Sequence, residues 1–221
     1  MDLEPLVRII AIYALPTLFA ITLHEAAHGY VARHFGDMTA YAQGRISLNP
    51  ARHIDLVGTI IVPLAILALS KFSGGAGLLF GWAKPVPVNY SALRRQRQNM
   101  LWVAAAGPGA NLAMALCWAA LFKATAVLPG NYFTEPLLLM GKAGMEVNIV
   151  LMVLNLLPIL PLDGGRIMAS LLPARLAWGY AKLEPWGFPI LLLLLFTSVL
   201  GVILAPLVNF AFRVLGTVFR I

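Results

Sequence analysis

The sequence predicts an all-α polytopic membrane protein: one unit of five or six membrane segments with a short membrane-associated β-hairpin or re-entrant loop. Three observations carry this. Of the 221 residues, 60% are hydrophobic and only 11% charged, and the mean hydropathy is +0.84, far from a water-soluble composition. The apolar residues gather in blocks able to cross a bilayer, which takes about 20 helical residues. The loops between blocks are short, basic and turn-rich, with no Gly/Ser-rich or charge-rich linker, so residues 1–221 read as one domain.

The first block covers residues 6–23 (LVRIIAIYALPTLFAITL), apolar apart from Arg8, and continues through His24 to Arg33 as one spanning helix. Asp2 and Glu4 stand where a secretory signal carries basic residues, so this segment is expected to stay in the mature protein. Residues 35–55 are polar and turn-rich, and residues 56–70 (LVGTIIVPLAILALS) are apolar but short for a crossing. A re-entrant or tilted segment is expected there. Gly74, Gly75 and Gly77 precede Pro85-Val86-Pro87-Val88, a stretch that cannot be helical at its prolines and reads as extended backbone up to Asn89. At membrane depth such backbone needs protein or a wet cavity beside it.

A third block, residues 100–128, opens after Arg94, Arg95 and Arg97, and a fourth runs over 136–162, broken by Pro158 and Pro161. Both are long enough to span. Residues 165–172 read as a short helix. Residues 188–219 exceed one crossing and contain Gly201 and Pro206, which predicts one long helix followed by a shorter return. The core is therefore about 6–173, with 188–221 as additional C-terminal membrane helices.

The net charge of +7 and the pI near 9.9 come from basic residues between apolar runs rather than on one periodic face. That distribution fits loops at an anionic inner leaflet and excludes nucleic acid as a partner. Arg33, Arg45, Arg52, Lys71, Lys84, Arg94, Arg95 and Arg97, then Arg166, Arg175 and Lys182, put their loops in the cytoplasm. The linker at 129–135 and the N-terminus fall outside. If residues 56–70 crossed fully, basic loops would lie on both sides, which favours re-entry. The single Cys117 permits no intrachain disulfide.

His24-Glu25-Ala26-Ala27-His28 is an H-E-x-x-H motif. On a helix, positions i and i+4 are about 40° apart and roughly 6 Å along the axis, so both imidazoles can grip one ion. Zinc suits that pair, and Glu25 can serve as general base toward the water it activates. A catalytic zinc needs a third protein ligand and one open position. Cys117 and Glu146 lie inside apolar blocks, with Glu146 four residues after Lys142 as a helical ion pair. His34 and His53 sit near surface loops; His53 could face the site, but a solvated loop histidine is the commoner reading and it stays outside the catalytic set. Asp163 ends an apolar run where Pro158 and Pro161 break the helix and Gly164-Gly165 loosen the backbone. It is the candidate third ligand, with N-capping of the following short helix as its other role.

The H-E-x-x-H motif together with Asn155-Leu156-Leu157-Pro158-Ile159-Leu160-Pro161-Leu162-Asp163-Gly164 resembles the motif pair of the site-2 protease family of intramembrane metalloproteases. The resemblance extends to Gly107-Pro108-Gly109-Ala110-Asn111, and to residues 81–89, which look like that family's membrane-associated β-hairpin loop. It implies His24, His28 and Asp163 as ligands of one Zn²⁺ per chain and Glu25 as the base. Asn155 and Pro158 would belong to a substrate-facing turn. The resemblance is to a minimal form of that family, expected to carry neither an inserted PDZ-like stretch nor an appended nucleotide-sensing tail.

Asn155 could pair with an extended substrate, or cap its helix or hydrogen-bond to a neighbouring helix. Asn111 could position substrate or oxyanion, although the small residues around it, Ala104 to Gly107, Gly109 and Ala110, point to close helix packing. Peptide bonds in a helix are shielded, so substrates, expected to be transmembrane proteins, must unwind locally, and residues 83–89 could hold them by β-addition. The lipid bilayer is the other expected partner. A short chain with Asp-Gly-Gly-Arg at 163–166 points by resemblance to a prokaryotic cell membrane, with the site toward the cytoplasm. A zinc-binding scaffold or transporter would use the same histidines without needing Glu25. A lipid-tethered soluble enzyme is excluded, because the motif lies inside the apolar helix.

Overall fold

The structure, a computed structural model, describes residues 4–61 and 84–221. Helix α1 spans Glu4–His34, α2 is a single turn over Thr39–Ala42, and short helical turns follow at Pro50–Arg52, Leu56–Ile61 and Tyr90–Ala92. Then come α3 (Gln96–Val127), α4 (Thr134–Asn155), α5 (Asp163–Leu171), α6 (Ala174–Ala181), α7 (Glu184–Phe196) and α8 (Val199–Phe219). Among the described residues, four helices are long and apolar enough to cross a membrane: α1, α3, α4 and α8.

Cross-contacts give their directions. Arg8 pairs with Glu135 at 2.5 Å, so α1 and α4 start at the same end. Lys123 donates to the Phe219 carbonyl, so α3 and α8 finish together. Apolar lipid gives no hydrophobic force between helices, and close approach of small residues does the work instead. A β-carbon on Gly144 would strike the Trp118 ring, and one on Gly141 would meet Phe122. Ala115, Trp118, Ala119, Met145, Ile149 and Val153 form the buried cluster around that α3–α4 contact.

The C-terminal segment corrects the sequence reading. Instead of a long helix and a shorter return, the short α7 comes first, 13 residues, and the full-length α8 second, 21 residues. The break falls at Ser198, whose φ of 61° is left-handed, while Gly201 and Pro206 lie inside α8. Thr197 Oγ1 turns back to the Leu193 carbonyl at 2.7 Å, a local bond that competes with helix continuation. Both ends of α7 touch one turn: Gly187 packs on Leu160 and Leu195 clusters with Leu157. At 13 residues α7 is short for a crossing, and among the described residues four helices are long and apolar enough to cross, against the five or six membrane segments expected, one of which was the re-entrant 56–70.

A β-carbon on Gly187 would overlap the Leu160 carbonyl, a backbone atom that cannot swing aside. Gly187→Ala is expected to push α7 off this turn at a cost of about 1–3 kcal/mol. Thermal unfolding in detergent reads it as a lower midpoint. An unchanged midpoint would show that α7 is not seated there.

The fourth apolar block is helical only to Asn155, and Leu156–Leu162 form the irregular turn that leads into α5. The expected hairpin over 81–89 and the segment 56–70 fall partly outside the described residues. Residues 84–89 run as a non-helical segment with no strand pairing. Pro85 and Pro87 lack N–H groups and cannot donate to a ladder. Other groups hold the segment: Lys84 N donates to the His53 carbonyl at 2.9 Å, Asn89 N to Asp37 at 2.7 Å, and Arg45 Nη2 to the Lys84 carbonyl at 3.1 Å. Glu146 is not paired with Lys142 as expected; its carboxylate accepts from Tyr13 Oη at 2.9 Å.

Candidate metal centre

The spacing of His24 and His28 puts both rings on one face of α1, with centroids 4.8 Å apart, and both are buried against α3. Gly107 on α3 makes the room. A β-carbon there would collide with the Nε2 atoms of both rings. His28 Nδ1 donates to the Val103 carbonyl at 2.7 Å, and His24 Nδ1 lies 2.6 Å from Asn111 Oδ1. Each ring is thus held by Nδ1 and points Nε2 inward.

Asp163 arrives from the other side. Helix α5 begins at Asp163 itself, with Leu162 in the cap position and no side-chain cap bond, so the carboxylate does not serve as an N-cap. Gly164 and Gly165 allow α5 to start directly against the preceding turn, because β-carbons there would run into the backbone of Leu156, Leu157, Ile159 and Leu160.

The three groups meet in a triangle. His24 Nε2 and His28 Nε2 are 3.1 Å apart, and Asp163 Oδ2 lies 3.2 Å from the first and 3.4 Å from the second. A tetrahedral ion with bonds of about 2.0–2.1 Å spaces its ligand atoms about 3.3 Å apart. Asp163 Oδ2 is buried and has no hydrogen-bond donor among the described residues, a cost a cation would remove. Two imidazoles and a carboxylate are a donor set that suits zinc, so the residues fit that ion. Burial raises the Asp163 carboxyl, and the His24 and His28 rings beside it lower it by more, to about 2, so it stays an anion.

Glu25, between the histidines, is half-buried and outside the triangle. Its Oε2 accepts from Val86 N at 2.7 Å, which ties it to the 84–89 segment. Asn155 donates to the Leu151 carbonyl in its own helix at 3.0 Å, leaving its oxygen uncommitted among the described residues. Pro158 is exposed on the turn above α5, and Tyr180 Oη donates to its carbonyl at 2.8 Å.

Against this geometry stand the sequence comparisons. The chain is 36% identical over 199 residues to "Putative zinc metalloprotease YwhC" of Bacillus subtilis, an alignment covering 87% of this chain and 83% of that protein. The chain belongs to the site-2 protease family. Similarity extends to two mycobacterial relatives, each named "Putative zinc metalloprotease Rip2". The Mycolicibacterium smegmatis protein is 30% identical over 83% of this chain and 66% of its own length. The Mycobacterium tuberculosis protein is 31% identical over 76% of this chain and 54% of its own length. No family model and no solved structure matches the chain.

Within this family member, the structure adds residues that sequence reasoning missed or misplaced. Asn111 is fully buried, and besides His24 it meets Asn148 on α4 at 3.0 Å. Asn148 drew no attention, although a polar residue inside an apolar helix is a signal that could have found it. His53 is not solvated as expected: it is 2% exposed, its Nε2 hydrogen-bonds the Ser47 carbonyl at 2.8 Å, and its carbonyl anchors Lys84. Gly107 read as packing. Its neighbours are the histidines themselves.

Proposed function

We propose that this chain is a zinc-dependent intramembrane endopeptidase that hydrolyses peptide bonds of transmembrane proteins, as in regulated intramembrane proteolysis. The observation that carries the reading is the buried triangle of His24 Nε2, His28 Nε2 and Asp163 Oδ2, with edges of 3.1, 3.2 and 3.4 Å, beside the Glu25 carboxylate. Zinc held there supplies a Lewis acid that acidifies water and polarises a scissile carbonyl.

The chain's own groups do the rest. Glu25, oriented by the Val86 N–H, takes the proton of the attacking water and returns it to the leaving amine. Its other oxygen has no partner among the described residues and is left for that transfer. His24, His28 and Asp163 hold the ion, kept in place by Asn111, Val103 and the tight start of α5. A substrate helix must unwind to expose a bond, and its extended form would lie along residues 84–89 and the turn carrying Asn155 and Pro158. The basic loops at this end of the bundle support a site facing the cytoplasm of a prokaryotic cell membrane.

The test is chelation and restoration on the purified chain in detergent, with an unstable transmembrane peptide as substrate. Cleavage is expected to stop with chelator and return with zinc at about one ion per chain. A chain that binds zinc at that ratio and never cuts would support the scaffold reading instead.

A further inference from the structure

We infer that Asn148, acting through Asn111, fixes which ring nitrogen of His24 carries the hydrogen, which makes it a positioning residue of the metal centre; this rests on the reading of His24, His28 and Asp163 as that centre. The chain of reasoning starts from groups that have no choice. The Gly144 carbonyl can only accept, and Asn148 Nδ2 lies 2.8 Å from it. Asn148 must therefore turn its amide nitrogen to its own helix and its oxygen to α3. That oxygen accepts from Asn111 Nδ2 at 3.0 Å. The Ala20 carbonyl, 3.3 Å from the same nitrogen, is a second acceptor without alternative.

Asn111 is thereby oriented, and it presents Oδ1 to His24 Nδ1 at 2.6 Å. An amide oxygen only accepts, so His24 Nδ1 carries the hydrogen and the Nε2 lone pair faces the other two ligand atoms. The Val103 carbonyl achieves the same for His28 in one step. Both asparagines are 0% exposed, so no bulk water can substitute for a lost link. With Asn148 removed, the Asn111 amide keeps only the longer Ala20 contact at 3.3 Å, so it can more readily turn over and set an N–H against His24, which favours the tautomer that closes Nε2 to metal.

The test uses the full chain in detergent, with zinc affinity measured by chelator competition and the visible spectrum of the cobalt-substituted form. Loss of groups that orient metal ligands costs about 10–100-fold in affinity. Asn111→Leu is expected within that range, and Asn148→Leu to lose about tenfold with a shifted cobalt spectrum. Asn111→Asp is the discriminating background. A carboxylate has no wrong way round, and its second oxygen would meet the Asn148 oxygen acceptor to acceptor, so adding Asn148→Leu to it is expected to cost nothing further or to recover affinity. If Asn148→Leu does not fold, Asn148→Ser, whose hydroxyl bonds back to the i−4 carbonyl, reads the same loss.

Wild-type zinc affinity in the single Asn148 variants, or an equal loss in the Asn111→Asp background as packing alone would give, overturns the relay. A wild-type chain that binds no zinc overturns the metal centre on which the relay rests.

Discussion

Glu25→Gln leaves zinc at about one ion per chain and lowers cleavage of a membrane-spanning peptide by about 10²–10⁴-fold, the usual contribution of a positioned general base. The separation of binding from turnover follows from the geometry. Glu25 lies outside the triangle of ligand atoms, and its Oε2 is engaged by the Val86 N–H. The amide that replaces it can keep that bond through its oxygen but cannot take a proton from water. Zinc content by atomic absorption and cleavage by mass spectrometry, on the same preparation, check it. Equal cleavage by wild type and variant would remove Glu25 from the chemistry and favour a scaffold or transporter.

Gly107→Ala is expected to weaken zinc binding by about 10–100-fold while leaving the helices intact. Its β-carbon would collide with both Nε2 atoms. The rings cannot retreat without breaking their Nδ1 contacts at 2.6 and 2.7 Å. Gly109→Ala, two residues away on the same helix, is the control: nothing lies within 4 Å of a β-carbon there. Affinity is expected to stay at the wild-type value. Chelator competition on the pair reads the contrast, and equal affinities would show that Gly107 does not border the ion.

Much of this site could be read in the sequence because its parts are local. The H-E-x-x-H spacing depends only on helix geometry, and it puts both imidazoles on one face of α1. Asp163 could be placed beside them through proline and glycine punctuation, and α5 starting at that residue removes the competing role as a cap. The remainder depends on contacts between distant residues. Asn111 and His24 are 87 positions apart, and Asn148 enters only because α3 and α4 close on small residues. No local pattern announces such a pairing.

The same limit explains the C-terminal helices. Hydropathy made residues 188–219 one long apolar stretch, and nothing in it marks the seat of α7. That seat is Gly187 against the Leu160 carbonyl, a contact between segments. Proline content likewise marked 84–89 as non-helical, but only the structure supplies its anchors, His53, Asp37, Arg45 and Glu25. His53 looked like an ordinary loop residue for that reason.

The most direct test of zinc-dependent proteolysis within the membrane is to map the cut. The purified chain and an unstable transmembrane peptide are placed together in liposomes, with and without a zinc chelator, and the products are sized by mass spectrometry. The account predicts a scissile bond inside or at the edge of the apolar span, cut only when zinc is present. Products ending only in soluble flanks, or cleavage unaffected by the chelator, would contradict it.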